Sequence, residues 1–155
     1  MILYLGTSSL VKMYFRETFS DIIKEWVRVA QIAATCRIAY TEVISALDLR
    51  YRNNDLTKSD YEVVLRKFSQ DWAHFAKVDF DDYDAGMMIK KYGLTRFGAI
   101  HLSAAKLLKA EQKELLPVFK TLYHDQTDIS LFFSSTDRHL CDAACSEGLN
   151  VLPFC

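Results

Sequence analysis

Short apolar runs alternate with stretches of helical period along this chain, and that alternation restricts its fold more than any other feature. Ile2 to Leu5 (ILYL) is an unbroken apolar run. A strand with one wet face would alternate polar and apolar residues, so an unbroken run belongs to a strand covered on both faces, as in a parallel sheet. Further short strands are expected at Ile32–Cys36, Lys77–Phe80, Ile129–Phe133 and Asn150–Leu152. Helices fill the intervals. One follows Gly6 through about Phe15, with Ser8 or Ser9 as its cap, and another covers Ser20–Val29, where Asp21 complements the dipole. A third starts near Ala39, repeats apolar residues at Tyr40, Val43, Ile44, Leu47 and Tyr51, and stops at Asn53-Asn54. After Thr57 and Ser59, with Glu62 as the partner in a capping box, Tyr61, Val64, Leu65, Phe68, Trp72 and Phe75 share one face.

The second half continues the pattern. Asp82–Tyr92 reads as a helix stopped by Gly93, and Thr95 caps the next, whose buried stripe is Phe97, Ile100, His101, Ala104 and Leu108. From Glu111 to Asp128 the periodicity weakens and Pro117 interrupts it, so this stretch reads as a surface excursion with a short helix at Val118–Tyr123. Asp137–Glu147 is a final helix stopped by Gly148. The order predicts an α/β fold with a parallel sheet of about five strands and helices on both faces, in one domain spanning 1–155. In such sheets ligands sit outside the carboxyl ends of the strands, so Gly6 and Asp137 should face one crevice.

Bulk properties exclude several classes. The net charge of -1 gives no global attraction to nucleic acid. No stretch reaches the roughly 20 apolar residues of a membrane helix. The five residues before Gly6 lack the plan of a signal peptide, which leads to an expectation of a cytoplasmic protein. Cys36, Cys141, Cys145 and Cys155 form no C-x-x-C pair and read as buried or half-buried reduced thiols.

Several residues carry chemistry by type. Glu42 lies near a helix start, off the main apolar stripe, with Ile38, Ser45 and Leu49 on its face. Alone it reads as a helix-terminal glutamate. Asp137 after Thr136, taken alone, reads as a dipole-stabilised first-turn acid rather than a metal ligand. His101, on the apolar stripe, reads as a satisfied core histidine rather than a general base. Asp79, Asp81, Asp82 and Asp84 read as capping on a solvated turn. Gly6-Thr7-Ser8-Ser9 offers free N–H groups to an anion but lacks the lysine of a phosphate loop. Lys12, Arg16, Arg50, Arg52, Lys90, Lys91 and Arg96 are candidate phosphate contacts.

Taken in order, LGTSSLVKMY at Leu5–Tyr14, AYTEVISA at Ala39–Ala46, LTRFGAIHLSAA at Leu94–Ala105, FSSTDRHL at Phe133–Leu140 and GLNVLP at Gly148–Pro153 resemble the VapC-type toxins of the PIN-domain nucleases over nearly the whole chain. Only Lys109–Asp128 is less typical. The resemblance implies a three-layer α/β/α fold and an RNase whose four acids hold Mg²⁺ or Mn²⁺ against substrate phosphate. It matches Glu42 and Asp137 to two of those acids and Thr136 to a supporting hydroxyl, beside Thr7 and Ser8. It places Gly6 and Gly98 where the family has aspartates. RNA contacts would fall to Lys12, Arg16 and Arg96. The implied partners are RNA, a cognate antitoxin and a second copy in a homodimer. Two missing carboxylates predict impaired metal binding and cleavage. The alternative is a non-catalytic PIN domain that binds RNA or an antitoxin.

Overall fold

A computed structural model of the chain describes residues 1–123 and 129–152, with the backbone alone for 115–123. Five strands, β1 (Ile2–Leu5), β2 (Ile32–Cys36), β3 (Ala76–Val78), β4 (Leu131–Ser134) and β5 (Asn150–Val151), form one sheet in the order β3-β2-β1-β4-β5. All four pairings are parallel. The helices are α1 (Thr7–Val11), α2 (Ser20–Val29), α3 (Ala39–Arg52), α4 (Lys58–Trp72), α5 (Asp82–Tyr92), α6 (Arg96–Tyr123) and α7 (Arg138–Ser146).

The period of two along β1 builds the layers. Leu3 and Leu5 enter one core with Leu10, Val43, Leu47 and Phe68, from the α1–α4 side. Ile2 and Tyr4 enter the other with Met88, Leu102 and Ala143, from the α5–α7 side. Both faces of the sheet are therefore covered, which is why its strands read as unbroken apolar runs. β1 pairs with β2 on one side and β4 on the other. At its carboxyl end the following segments diverge, and such a switch point leaves a crevice.

Local details correct the sequence expectations. Neither Ser8 nor Ser9 caps α1; Gly6 holds the cap position without a side-chain bond. The two hydroxyls instead reach β4 and the residue after it, Ser8 Oγ to Ser135 Oγ at 3.1 Å and Ser9 Oγ to Ser134 Oγ at 2.9 Å. α1 ends at Val11 rather than near Phe15. Thr57 caps α4 by accepting from the Asp60 N–H, while Glu62 pairs with Lys58, so no capping box forms. The helix containing Pro117 is continuous to Tyr123, not an excursion; residues 124–128 of that segment lie outside the described residues, as do Pro153 and Cys155. Phe97 is 43% exposed, off the buried stripe. Cys36 is buried and Cys141 half-buried, but Cys145 is exposed because it falls on the solvent face of α7. Among the described residues, no helix is long and apolar enough to cross a membrane.

The acidic turn before α5 does cap: Asp81 accepts from the Asp84 N–H at 2.8 Å. Asp84 also pairs with Lys106 on α6 at 2.5 Å. Lys106 reaches Glu147 beyond α7 at 2.9 Å, and Glu147 accepts from Lys91 at 2.8 Å and from the Tyr92 hydroxyl at 2.6 Å. These donors, led by Lys91, hold the Glu147 carboxyl down at about 2 from the usual 4.5. A lowered carboxyl stabilises the fold above its unfolded value and loses that contribution as pH falls through the folded one. Glu147→Gln should therefore lower stability at pH 7 by about 1–2 kcal/mol, with solvent screening at Lys91 limiting the effect. The gap from the native protein should close between pH 4.5 and 2, read from urea midpoints across that range.

Candidate functional site

Three chain exits converge on the switch point. Gly6 and α1 follow β1, the start of α3 follows β2, and Ser135 to Asp137 follow β4. The first turns of α6 close the fourth side. Between them lies an open cleft of about 240 Å³, lined by Thr7, Ser8, Glu42, His101, Ser135 and Asp137, with Thr95, Phe97 and Gly98 at its rim. The two acids matched from the sequence thus share one cavity.

Each of them already has protein partners. The Thr7 hydroxyl donates to Glu42 Oε2 at 2.7 Å, and His101 Nε2 lies 2.9 Å from the same oxygen. His101 Nε2 is also 2.8 Å from Thr7 Oγ1, and its Nδ1 is 2.9 Å from the Tyr4 hydroxyl. The Tyr4 ring is fully buried, stacked on Phe133 at 5.5 Å and edge-on to His101. Burial pushes its phenol well above the ordinary value, so it remains a donor. His101 is 2% exposed and is a satisfied core histidine, but the acid that satisfies it belongs to the cleft.

Asp137 is the cap of α7, accepting from the Leu140 N–H at 3.2 Å through Oδ1. Its own N–H donates to Ser135 Oγ, and the Thr136 N–H donates to Ser8 Oγ at 3.0 Å. The Ser8, Ser135 and Thr136 contacts therefore tie the turn after β4 to α1. Cys141 Sγ donates to the Ser135 carbonyl at 3.1 Å, and burial pushes this thiol up to about 11, which keeps it protonated.

The glycines are not required by backbone geometry. Gly6 has φ -68° and ψ 157°, open to any residue. A Cβ there would meet the Ser134 carbonyl at 3.4 Å and Ser135 Cβ at 3.5 Å, ordinary contacts. At Gly98 a Cβ would sit 3.2 Å from Thr95 Oγ1, which caps α6 by accepting from the Gly98 N–H. That hydroxyl is a movable side-chain end.

The donor set does not fit a divalent ion of the kind the resemblance implies. Hard cations of this class are held by carboxylates beside substrate phosphates. The cleft offers two carboxylates, one of them bound by Thr7 and His101 and the other capping a helix. Among the described residues, no three His, Cys, Asp or Glu side chains gather in a way that would hold a metal.

The candidate cations are unequal. Lys12 is engaged by Glu17 at 2.7 Å, and Arg50 binds the same carboxylate while lying over Phe15. Lys91 belongs to the Glu147 network, and Arg52 pairs with Asp48. Arg16 and Arg96 are exposed, and the Arg96 guanidinium sits 5.1 Å from the Phe97 ring at the rim of the cleft. A second depression of about 420 Å³ continues from Thr7, Glu42 and Phe97 along Thr41, Ser45 and Leu49.

The link between Tyr4, His101 and Glu42 was not found in the sequence. Its signal was there: Tyr4 is the one residue of β1 with a polar tip, and a buried tyrosine hydroxyl needs a partner.

The chain is similar to two curated proteins of Mycobacterium tuberculosis, ribonuclease VapC45 of strain CDC 1551 / Oshkosh and ribonuclease VapC49 of strain ATCC 25618 / H37Rv. Each is 30% identical over 107 residues, which span 67% of this chain and 74% of the relative. The crystal structure of PAE2754 from Pyrobaculum aerophilum matches with a TM-score of 0.61 and 16% identity, covering 97% of this chain and 92% of that one. FitAcB from Neisseria gonorrhoeae matches with a TM-score of 0.61 and 14% identity, covering 99% and 98%. At these identities the structural likeness bears on the fold. No protein-family model matches the chain.

Proposed function

This chain belongs to the VapC ribonuclease family and has its PIN-like α/β/α fold, and from that premise we propose that it is a toxin-type ribonuclease whose divalent-metal-dependent RNA cleavage is impaired at its own cleft. The observation that carries the reading is the carboxylate count. Glu42 and Asp137 line the cavity, and glycine stands at the two remaining positions that the sequence resemblance assigns to acids.

On this reading Glu42 and Asp137 are the two acids left of the family's Mg²⁺ or Mn²⁺ site, too few to hold the ion, beside the supporting hydroxyls of Thr7, Ser8 and Thr136. Two carboxylates fewer also means less repulsion toward RNA phosphate. Arg96, over the Phe97 ring that lines the cleft, and the exposed Arg16 are the RNA contacts left on this reading, since Lys12 is held by Glu17. The partners are RNA, a cognate antitoxin and a second copy of the chain, and the compartment is the cytoplasm. The chain works as one domain over 1–155.

Calorimetry with Mn²⁺, run beside an RNA cleavage assay, tests the reading. The expected result is no resolvable heat at millimolar Mn²⁺ and no cleavage above that of Glu42→Gln. Mn²⁺-dependent cleavage by the native protein that disappears in Glu42→Gln would overturn it. RNA retained without cleavage would favour a binding module, a reading helped by the depression beside the cleft at Thr41, Ser45 and Leu49.

A further inference from the structure

The buried His101 imidazole has hydrogen-bond partners at both ring nitrogens. The Thr7 hydroxyl has one proton, and it goes to Glu42 Oε2 at 2.7 Å. His101 Nε2 faces that same carboxylate oxygen at 2.9 Å and Thr7 Oγ1 at 2.8 Å. A bare Nε2 would set its lone pair against theirs. A proton on Nε2 turns both contacts into hydrogen bonds, shared between two acceptors. On the other side, Nδ1 must then accept, and the Tyr4 hydroxyl 2.9 Å away is the group that donates. A proton on Nδ1 as well would leave the buried Tyr4 proton with no acceptor among the described residues.

We infer that His101 is the positioning residue of this cleft: Tyr4 fixes its Nε2–H tautomer, and that proton holds the Glu42 carboxylate in the cavity. Tyr4 cannot turn away, because its ring is clamped between the sheet, Phe133 and α6. The backbone of α6 fixes His101 in the same way, beside Ala104 and Ala105. Glu42 lies at the edge of this rigid pair, with its side chain 15% exposed. Without His101, Thr7 would be its single described anchor, and a three-torsion side chain on one hydrogen bond samples other rotamers. The importance of Glu42 rests on the functional reading above, but the tautomer and the positioning do not.

Long-range proton–nitrogen correlation on the labelled native protein reads the tautomer directly, and the Glu42 carboxyl carbon shift reads the hydrogen bonding of the acid. The expected result is a single Nε2–H tautomer, which becomes a mixture in Tyr4→Phe. His101→Gln places an amide N–H near the Nε2 position and should keep the Glu42 carbon shift, whereas His101→Leu should move it. An Nδ1–H tautomer in the native protein overturns the inference without any variant having to fold. So does a Glu42 signal unmoved in folded His101→Leu. In a background carrying Gly6→Asp and Gly98→Asp, His101→Leu should weaken Mn²⁺ binding by about tenfold or more, and His101→Gln should restore it. If that background binds no Mn²⁺ while the tautomer result holds, the functional reading fails and the positioning role stands.

Discussion

Gly6→Asp and Gly98→Asp together are expected to give a protein that binds Mn²⁺, is stabilised by it, and cleaves RNA in its presence. The scaffold accepts both changes. A Cβ at Gly6 meets only ordinary contacts, and aspartate is a preferred cap residue at the position that Gly6 holds before α1. At Gly98 the Thr95 hydroxyl must yield by a few tenths of an ångström. In return, an acid enters the first turn of α6, where the helix dipole favours it by about 0.3–1 kcal/mol. Four carboxylates in one small cleft repel each other until a cation enters, and only the folded chain gathers them. Metal binding is then folding energy: about 2.7 kcal/mol at a hundredfold excess over Kd. In a chain of this size that raises Tm by roughly 6–10 °C. The native protein should show no such shift. Either single aspartate should fall well short of the pair, because a reacting group misplaced by about 1 Å can lose roughly a hundredfold in rate. A double variant that folds, melts at an unchanged temperature in excess Mn²⁺ and leaves RNA intact would show that more than these two carboxylates separates this cleft from a working one.

Why the layers were legible and some details were not follows from the range of the forces involved. An unbroken run such as Ile2–Leu5 reports burial on both faces, a property of every residue in it, so the parallel sheet was readable from sequence. Gly93 and Gly148 stop their helices with φ of 67° and 77°, a local preference that sequence carries openly. Pro117 does not end its helix, because its surroundings outweigh the missing donor. The flanking Ala110-Glu111-Gln112-Lys113-Glu114-Leu115-Leu116 run consists of strong helix formers, and α6 continues through the proline. Ser8 and Ser9 depart from their local preference for a distant reason. Their local choice was to cap, but Ser134 and Ser135 compete from more than a hundred residues away and win. The cleft divides along the same line. Glu42 and Asp137 were found through the order of short motifs, whereas the bond from Tyr4 to His101 spans 97 residues and crosses from strand to helix.

Phe68→Ala is expected to be the most damaging single change outside the cleft, and it tests what supports Glu42. The ring is fully buried on the α1–α4 side of the sheet. It packs on Tyr40 of α3 with centroids 5.4 Å apart, on Tyr14 edge-on at 5.4 Å, and on Trp72 at 5.8 Å. Truncation removes a fully buried ring between α3 and α4 and leaves a cavity among the rings of Tyr14, Tyr40 and Trp72. The loss should be about 3–5 kcal/mol, a large share of the 5–15 kcal/mol that typical domains possess. Phe68→Leu, which keeps most of the volume, should lose about 1.5 kcal/mol or less. Urea unfolding separates these values, with an unchanged m-value as the sign that the same unit unfolds. Tyr40 lies two residues before Glu42 on α3, so loosening it should also disturb the carboxylate: its carbon signal should broaden in Phe68→Ala under native conditions. A loss below about 1 kcal/mol would mean that α4 is not part of the cooperative unit, and that α3 is held against the sheet by Val43 and Leu47 without it.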